Sequence, residues 1–125
     1  MSKVNPVGWF EIPTQNIIRA KGFYEKIFEK KLSLDQMNGW ILAWFPKMIE
    51  EEYGATGTLI EGDSYVPSHE GSLVYFSVPD IDATLKKIEE NGGRILLSKK
   101  SIGEHGFIAN FEDCEGNRVA LHSKT

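Results

Sequence analysis

Apolar and polar positions along this chain follow two periods, and the order in which those periods alternate occurs twice. Val7-Gly8-Trp9-Phe10-Glu11-Ile12 is short, aromatic and β-branched, and Pro13 is expected to stop it as a strand. Thr14-Gln15-Asn16 supplies capping side chains for a helix from Ile17 to Glu29. Its apolar positions Ile17, Ala20, Tyr24 and Ile27 keep a three-four spacing, while Lys21, Glu25, Lys26 and Glu29 lie mostly off that stripe. Lys31 to Met37 and Trp40 to Phe45 are strand-like runs, and the Asn38-Gly39 pair between them is a strong hairpin signal. Pro46 to Ala55, with Glu50, Glu51 and Glu52, reads as a solvated excursion before a strand at Thr56 to Glu61. Gly62 to Gly71 holds Pro67 and no period, which predicts a linker.

The pattern then restarts. Leu73 to Val78 is strand-like, and Pro79-Asp80 stops it and caps a helix through Asn91 that aligns Ile81, Leu85 and Ile88. Gly92-Gly93 ends that helix, and Arg94 to Ser98, Gly106 to Glu112 and Asn117 to His122 are three more strands. The halves superpose at an offset of 64, placing Trp9 on Leu73, Glu11 on Tyr75 and Asn16 on Asp80. The predicted organisation is one α+β domain of two βαβββ modules, the first over 6–62 and the second over 72–123, joined by a linker at 63–71. Neither unit can bury both sheet faces alone, so the two are expected to share one core.

Alternation assigns a face to each strand residue. Phe10, Ile12, Val74, Phe76, Val78, Val119 and Leu121 form a purely apolar set, suited to packing beneath helices. The opposite set is mixed: Trp9, Glu11, Leu73, Tyr75, Ala120 and His122. Such a face either meets solvent or lines a partly hydrated cup, and the aromatic pair Trp9 and Tyr75 favours the cup. Trp40, Leu42 and Trp44 share one face of their strand and Ile41, Ala43 and Phe45 the other, with nothing local to say which borders the cleft.

Composition narrows the partners. The chain of 125 residues and 14.1 kDa carries a net charge of −4 and no extended basic cluster, which argues against nucleic acid or an anionic membrane surface. Its longest apolar run, Trp40 to Phe45, is too short to span a bilayer. The opening Met1 to Pro6 has no apolar stretch, so a secretory leader is not expected. The single cysteine, Cys114, has no partner for an internal disulfide, which points to a cytoplasmic, reducing setting. Flanked by Asp113 and Glu115 it is also a poor thiolate nucleophile. His69 and His105 fall in loops without ligand spacing.

Glu11-Ile12-Pro13, Arg19-Ala20, Phe23-Tyr24 and Phe28, followed by Val78-Pro79-Asp80-Ile81-Asp82, Gly92-Gly93 and Asp113-Cys114-Glu115-Gly116-Asn117, resemble the vicinal oxygen chelate superfamily, the glyoxalase/bleomycin-resistance/dioxygenase group. The resemblance runs from Val7 to Ser123. It implies two modules whose sheets form a U-shaped cleft. It also implies, in the enzymes, a divalent ion held by His, Gln or Glu from the first and last strands of each module, which would polarise vicinal substrate oxygens. Here the matching positions are Trp9, Leu73 and Ala120, none of which has a lone pair to donate. The fourth position lies on the strand Thr56 to Glu61, where Glu61 is the only acid. The expectation is therefore a protein without a metal cofactor, binding a small organic molecule through Trp9, Glu11, Leu73, Tyr75, Ala120 and His122. The alternative is a lyase or isomerase with Glu11 and His122 as candidate acid and base, or with a divalent metal displaced onto that pair. Homodimerisation is what the resemblance implies for a chain of this length.

Overall fold

The computed structural model describes residues 6–46 and 54–125. The acidic stretch from Glu50 to Glu52 lies outside them. The first module contains β1 (Trp9–Thr14), α1 (Ile17–Phe28), β2 (Ser33–Met37), β3 (Trp40–Trp44) and β4 (Thr56–Glu61). The second contains β5 (Tyr75–Ser77), α2 (Ile81–Glu90), β6 (Arg94–Ser101), β7 (Phe107–Glu112) and β8 (Arg118–Ser123), with a 3-10 turn at Gly103–His105. The sheets run β1-β4-β3-β2 and β5-β8-β7-β6, each with one parallel pair at the same place in the order, so the second sheet repeats the topology of the first.

Local chemistry accounts for most boundaries. The Asn16 and Asp80 side chains accept from the backbone N–H groups of Arg19 and Ala83 and open the two helices. Asn38 and Gly39 both have positive φ, 53° and 83°, the pair a two-residue hairpin turn needs. Pro13 does not stop β1: the strand continues to Thr14 because β1 is an edge strand, paired only to β4, where a missing N–H costs no ladder bond. Helix lengths match expectation within a residue or two, whereas β5 shrinks to three residues and β6 extends to Ser101 across register shifts.

One hydrophobic core joins the modules. It holds Ile12, Phe23, Tyr24, Ile27 and Leu59 from the first and Phe76, Ile81, Ile88, Phe111 and Leu121 from the second. Phe76 stacks against Phe28 and Phe45 at 4.8 and 4.9 Å between centroids and meets Phe10 edge-on at 5.6 Å. Polar clasps reinforce the join. The buried Tyr24 hydroxyl donates to Asp113 Oδ2 at 2.7 Å, joining residues 89 positions apart in sequence. The Glu115 carboxylate accepts from the backbone N–H groups of Gln15 and Asn16 at 2.7 and 2.9 Å and pairs with Arg19 at 2.6 Å. Asn117 donates to the carbonyl of Pro13. The Asp113-to-Asn117 turn, which local chemistry explains as a turn, is thus also the lock between modules. No helix among the described residues is long and apolar enough to cross a membrane.

Candidate functional site

Strand register sorts the first sheet into two faces. Glu11 pairs with Thr58, Thr58 with Trp44, and Trp44 with Ser33; Trp9 lies opposite Thr56, Leu42 opposite Ile60, and Trp40 opposite Met37. These residues share the face turned away from α1. Phe10, Ile12, Leu59, Ala43 and Phe45 occupy the other and belong to the core. The ambiguity of β3 is thereby resolved: Trp40, Leu42 and Trp44 share the face of Glu11, across β4 from it. All three tryptophans of the chain therefore lie on one face of one sheet.

The floor of that face is buried although it lies outside the core cluster. Leu42 is 2% exposed, Ile60 0% and Thr58 0%, while Trp9 at its rim is 58% exposed. The Thr58 hydroxyl is buried without a hydrogen-bond partner. The linker closes one end. Tyr65 meets Trp40 edge-on at 5.8 Å, and a Cβ at Gly62 would sit 2.6 Å from the Trp40 ring, so only glycine lets the chain turn over the indole. Loss of hydration, then the negative charge of Glu11 and a hydrogen bond toward it, hold the Tyr65 hydroxyl above its ordinary value. Glu11 is exposed and takes part in no ion pair among the described residues. It lines a depression of about 120 Å³ between the modules, together with Val66, Ser68, Glu70, Val74 and Arg118.

The second sheet has the same division. Tyr75 pairs with Ala120, Ala120 with Asn110, and His122 with Ser77 and Ile108, all on the face away from the core. Tyr75 is 49% exposed, Ala120 is fully buried, and Leu73 precedes β5 as a half-buried residue. His122 is half-buried, and its Nε2 lies 2.6 Å from the carbonyl of His105, to which it donates. It lines a separate depression of about 300 Å³ at the C-terminal ends of β5 and β8. Glu11 and His122, expected to open onto one cavity with Trp9 and Tyr75, stand on different sheets and line the two different depressions described. Of the other two histidines, His69 contacts Glu112 at 2.7 Å and anchors the linker to β7, and His105 is exposed.

Register also locates the fourth position implied by the resemblance. At the offset of 64, Glu11 corresponds to Tyr75. Glu11 pairs with Thr58 and Tyr75 with Ala120, in parallel, so Thr58 is the counterpart of Ala120. Glu61 is not that position. It lies three residues on, and its carboxylate accepts the backbone N–H of Ile17 at 2.8 Å at the start of α1. The set is Trp9, Thr58, Leu73 and Ala120, which offers one neutral hydroxyl oxygen. A divalent ion needs several N, O or S donors, so these residues do not fit one. Among the described residues no three His, Cys, Asp or Glu side chains gather as a metal site would require.

A family model described as the Glyoxalase/Bleomycin resistance protein/Dioxygenase superfamily matches residues 7–121. A glyoxylase-like domain-containing protein of Didymella fabae is 30% identical over 121 residues, spanning 92% of this chain and 91% of that one. A glyoxylase/bleomycin resistance protein/dioxygenase domain from Frankia sp. superposes with a TM-score of 0.72 at 15% identity, over 98% of this chain and 100% of that one. A glyoxalase I variant from Zea mays superposes at 0.69 with 19% identity over 95% of this chain, which spans 47% of the maize chain.

Proposed function

Because the chain belongs to the glyoxalase/bleomycin resistance protein/dioxygenase superfamily, we propose that it uses the fold to bind a small organic molecule against the aromatic face of the first sheet, without the divalent ion of the family's enzymes. The replacement of the ligand set by Trp9, Thr58, Leu73 and Ala120 carries this reading. Three of these side chains have no donor atom, and the fourth is a neutral alcohol too weak to hold an ion alone. The face that replaces the metal site has what small-molecule sites usually have: aromatic walls, a buried apolar floor and a few polar groups.

Metal content separates this reading from a metal-dependent lyase or isomerase. Protein purified without chelator is expected to hold no stoichiometric zinc, nickel, iron or manganese and to melt at the same temperature with and without EDTA. One ion per chain, with lowered stability on chelation, overturns the proposal. A metal-free enzyme using Glu11 as general base is the second reading, favoured by its exposed carboxylate, which a hydrogen bond with Tyr65 orients and no described ion pair neutralises. His122 is less suited to that role, because Nε2 is engaged with the His105 carbonyl. We further propose a homodimer, since Trp9 and Tyr75 are large exposed aromatic side chains that a second copy could cover.

A further inference from the structure

Resting on the reading of the first-sheet face as the ligand cup, we infer that its ligand is an organic cation, a protonated or quaternary amine on a small carbon skeleton. Trp9 lies two residues before Glu11 on β1, Trp44 stands on the same face across β4 with Thr58 between it and Glu11, and Trp40 with Tyr65 closes one end. The described strand positions of the face carry two carboxylates, Glu11 and Asp35, and neither Lys nor Arg. Indole faces attract positive charge through the ring quadrupole, and do so most strongly where water is partly excluded. An anion placed there would meet Glu11 directly, and a neutral ligand would strip water from that carboxylate without supplying a counter-charge. One basic side chain, Arg118 of the second sheet, borders the depression that Glu11 lines between the modules. Its Nε donates to Asn110 at 2.9 Å, and no ion pair joins it to Glu11.

Thr58 is the independent observation. Paired with Glu11 and Trp44 on the same face, its hydroxyl is the one side-chain polar atom among the described residues that is buried without a partner. An isolated fold gains nothing from that arrangement and loses the hydrogen bond. A ligand whose ammonium N–H or hydroxyl reaches between the rings would satisfy it.

The test titrates choline and benzyltrimethylammonium into the full chain, following tryptophan fluorescence and the indole N–H resonances. Each is set against its neutral isostere, in which carbon replaces the quaternary nitrogen, and against tert-butylacetate as the anionic probe. The cations are expected to bind about tenfold more tightly than their isosteres and to shift the indole signals of Trp9 and Trp44, with the anion weakest. Glu11→Gln should bring the cations down to the level of the isosteres, leave the isosteres unchanged and leave the melting temperature unchanged. Equal binding of cation and isostere, tightest binding by the anion, or a preference that survives Glu11→Gln overturns the cation assignment while leaving the cup reading in place. Failure of every probe to bind overturns both.

Discussion

At the scale of single residues, environment decides which of the reactive-looking side chains are available. Cys114 sits between two acids, and burial, then the charges of Asp113 and Glu115, push its thiol up to about 12. It is therefore almost wholly protonated near neutrality, and native protein is expected to resist iodoacetamide until unfolded in urea. Rapid stoichiometric alkylation of the folded chain would contradict this. Tyr24 is fully buried, and burial, reinforced by the charge of Asp113, raises its hydroxyl well above the ordinary value. It acts as a permanent donor. Tyr24→Phe should cost about 1–3 kcal/mol in urea denaturation, because Asp113 stays buried and loses one of its donors.

The elements meet at their ends. The N-terminus of α1 is served by its own cap, Asn16, and by two distant carboxylates, Glu61 on Ile17 and Glu115 on Gln15 and Asn16. Negative charge there also complements the helix dipole. Although burial opposes it, the Arg19 guanidinium and the two N–H groups hold the Glu115 carboxyl below its ordinary, unfolded value. Its contribution to stability is therefore complete above that unfolded value and is lost as pH falls through the lower folded one. Asp113 works in the opposite sense. Burial raises its carboxyl, so its ionised form opposes folding, and that opposition is relieved as pH drops through its folded value. Glu115→Gln should lower stability by about 1–3 kcal/mol near neutrality and flatten the acid limb of the stability curve, as read from urea midpoints. An unchanged limb would mean that the clasp carries none of the acid sensitivity.

For the whole molecule, the decisive contact is the aromatic cluster in which Phe76 of the second module lies among Phe10, Phe28 and Phe45 of the first. Phe76→Ala is expected to cost about 3–5 kcal/mol and to unfold both modules in one transition, since they share a core. Two separate transitions by calorimetry would show independent modules. Light scattering is expected to give twice the 14.1 kDa chain mass at micromolar concentration, and a monomer mass would remove the proposed dimer.

Periodicity, stop signals and caps were enough to determine both helices, the order of the strands, the repeat and the assignment of Phe10, Phe76 and Leu121 to the buried side, because those properties depend on neighbours a few residues away. The Asn38-Gly39 hairpin was legible for the same reason: only a few residue types adopt its dihedral angles. Pairing between distant strands was not legible. Only the parallel register of β1 with β4 identifies Thr58 as the counterpart of Ala120 and removes Glu61 to a helix cap. Only the register of β3 with β4 places Trp40 and Trp44 on the same sheet face as Glu11. His122 shared its predicted face with Glu11, yet a face is a property of one strand, whereas a cavity depends on how sheets, linker and turns are placed in space. Local sequence encodes dihedral preference and alternation; register and juxtaposition come from packing summed over the whole chain, and they determined which side chains stand together.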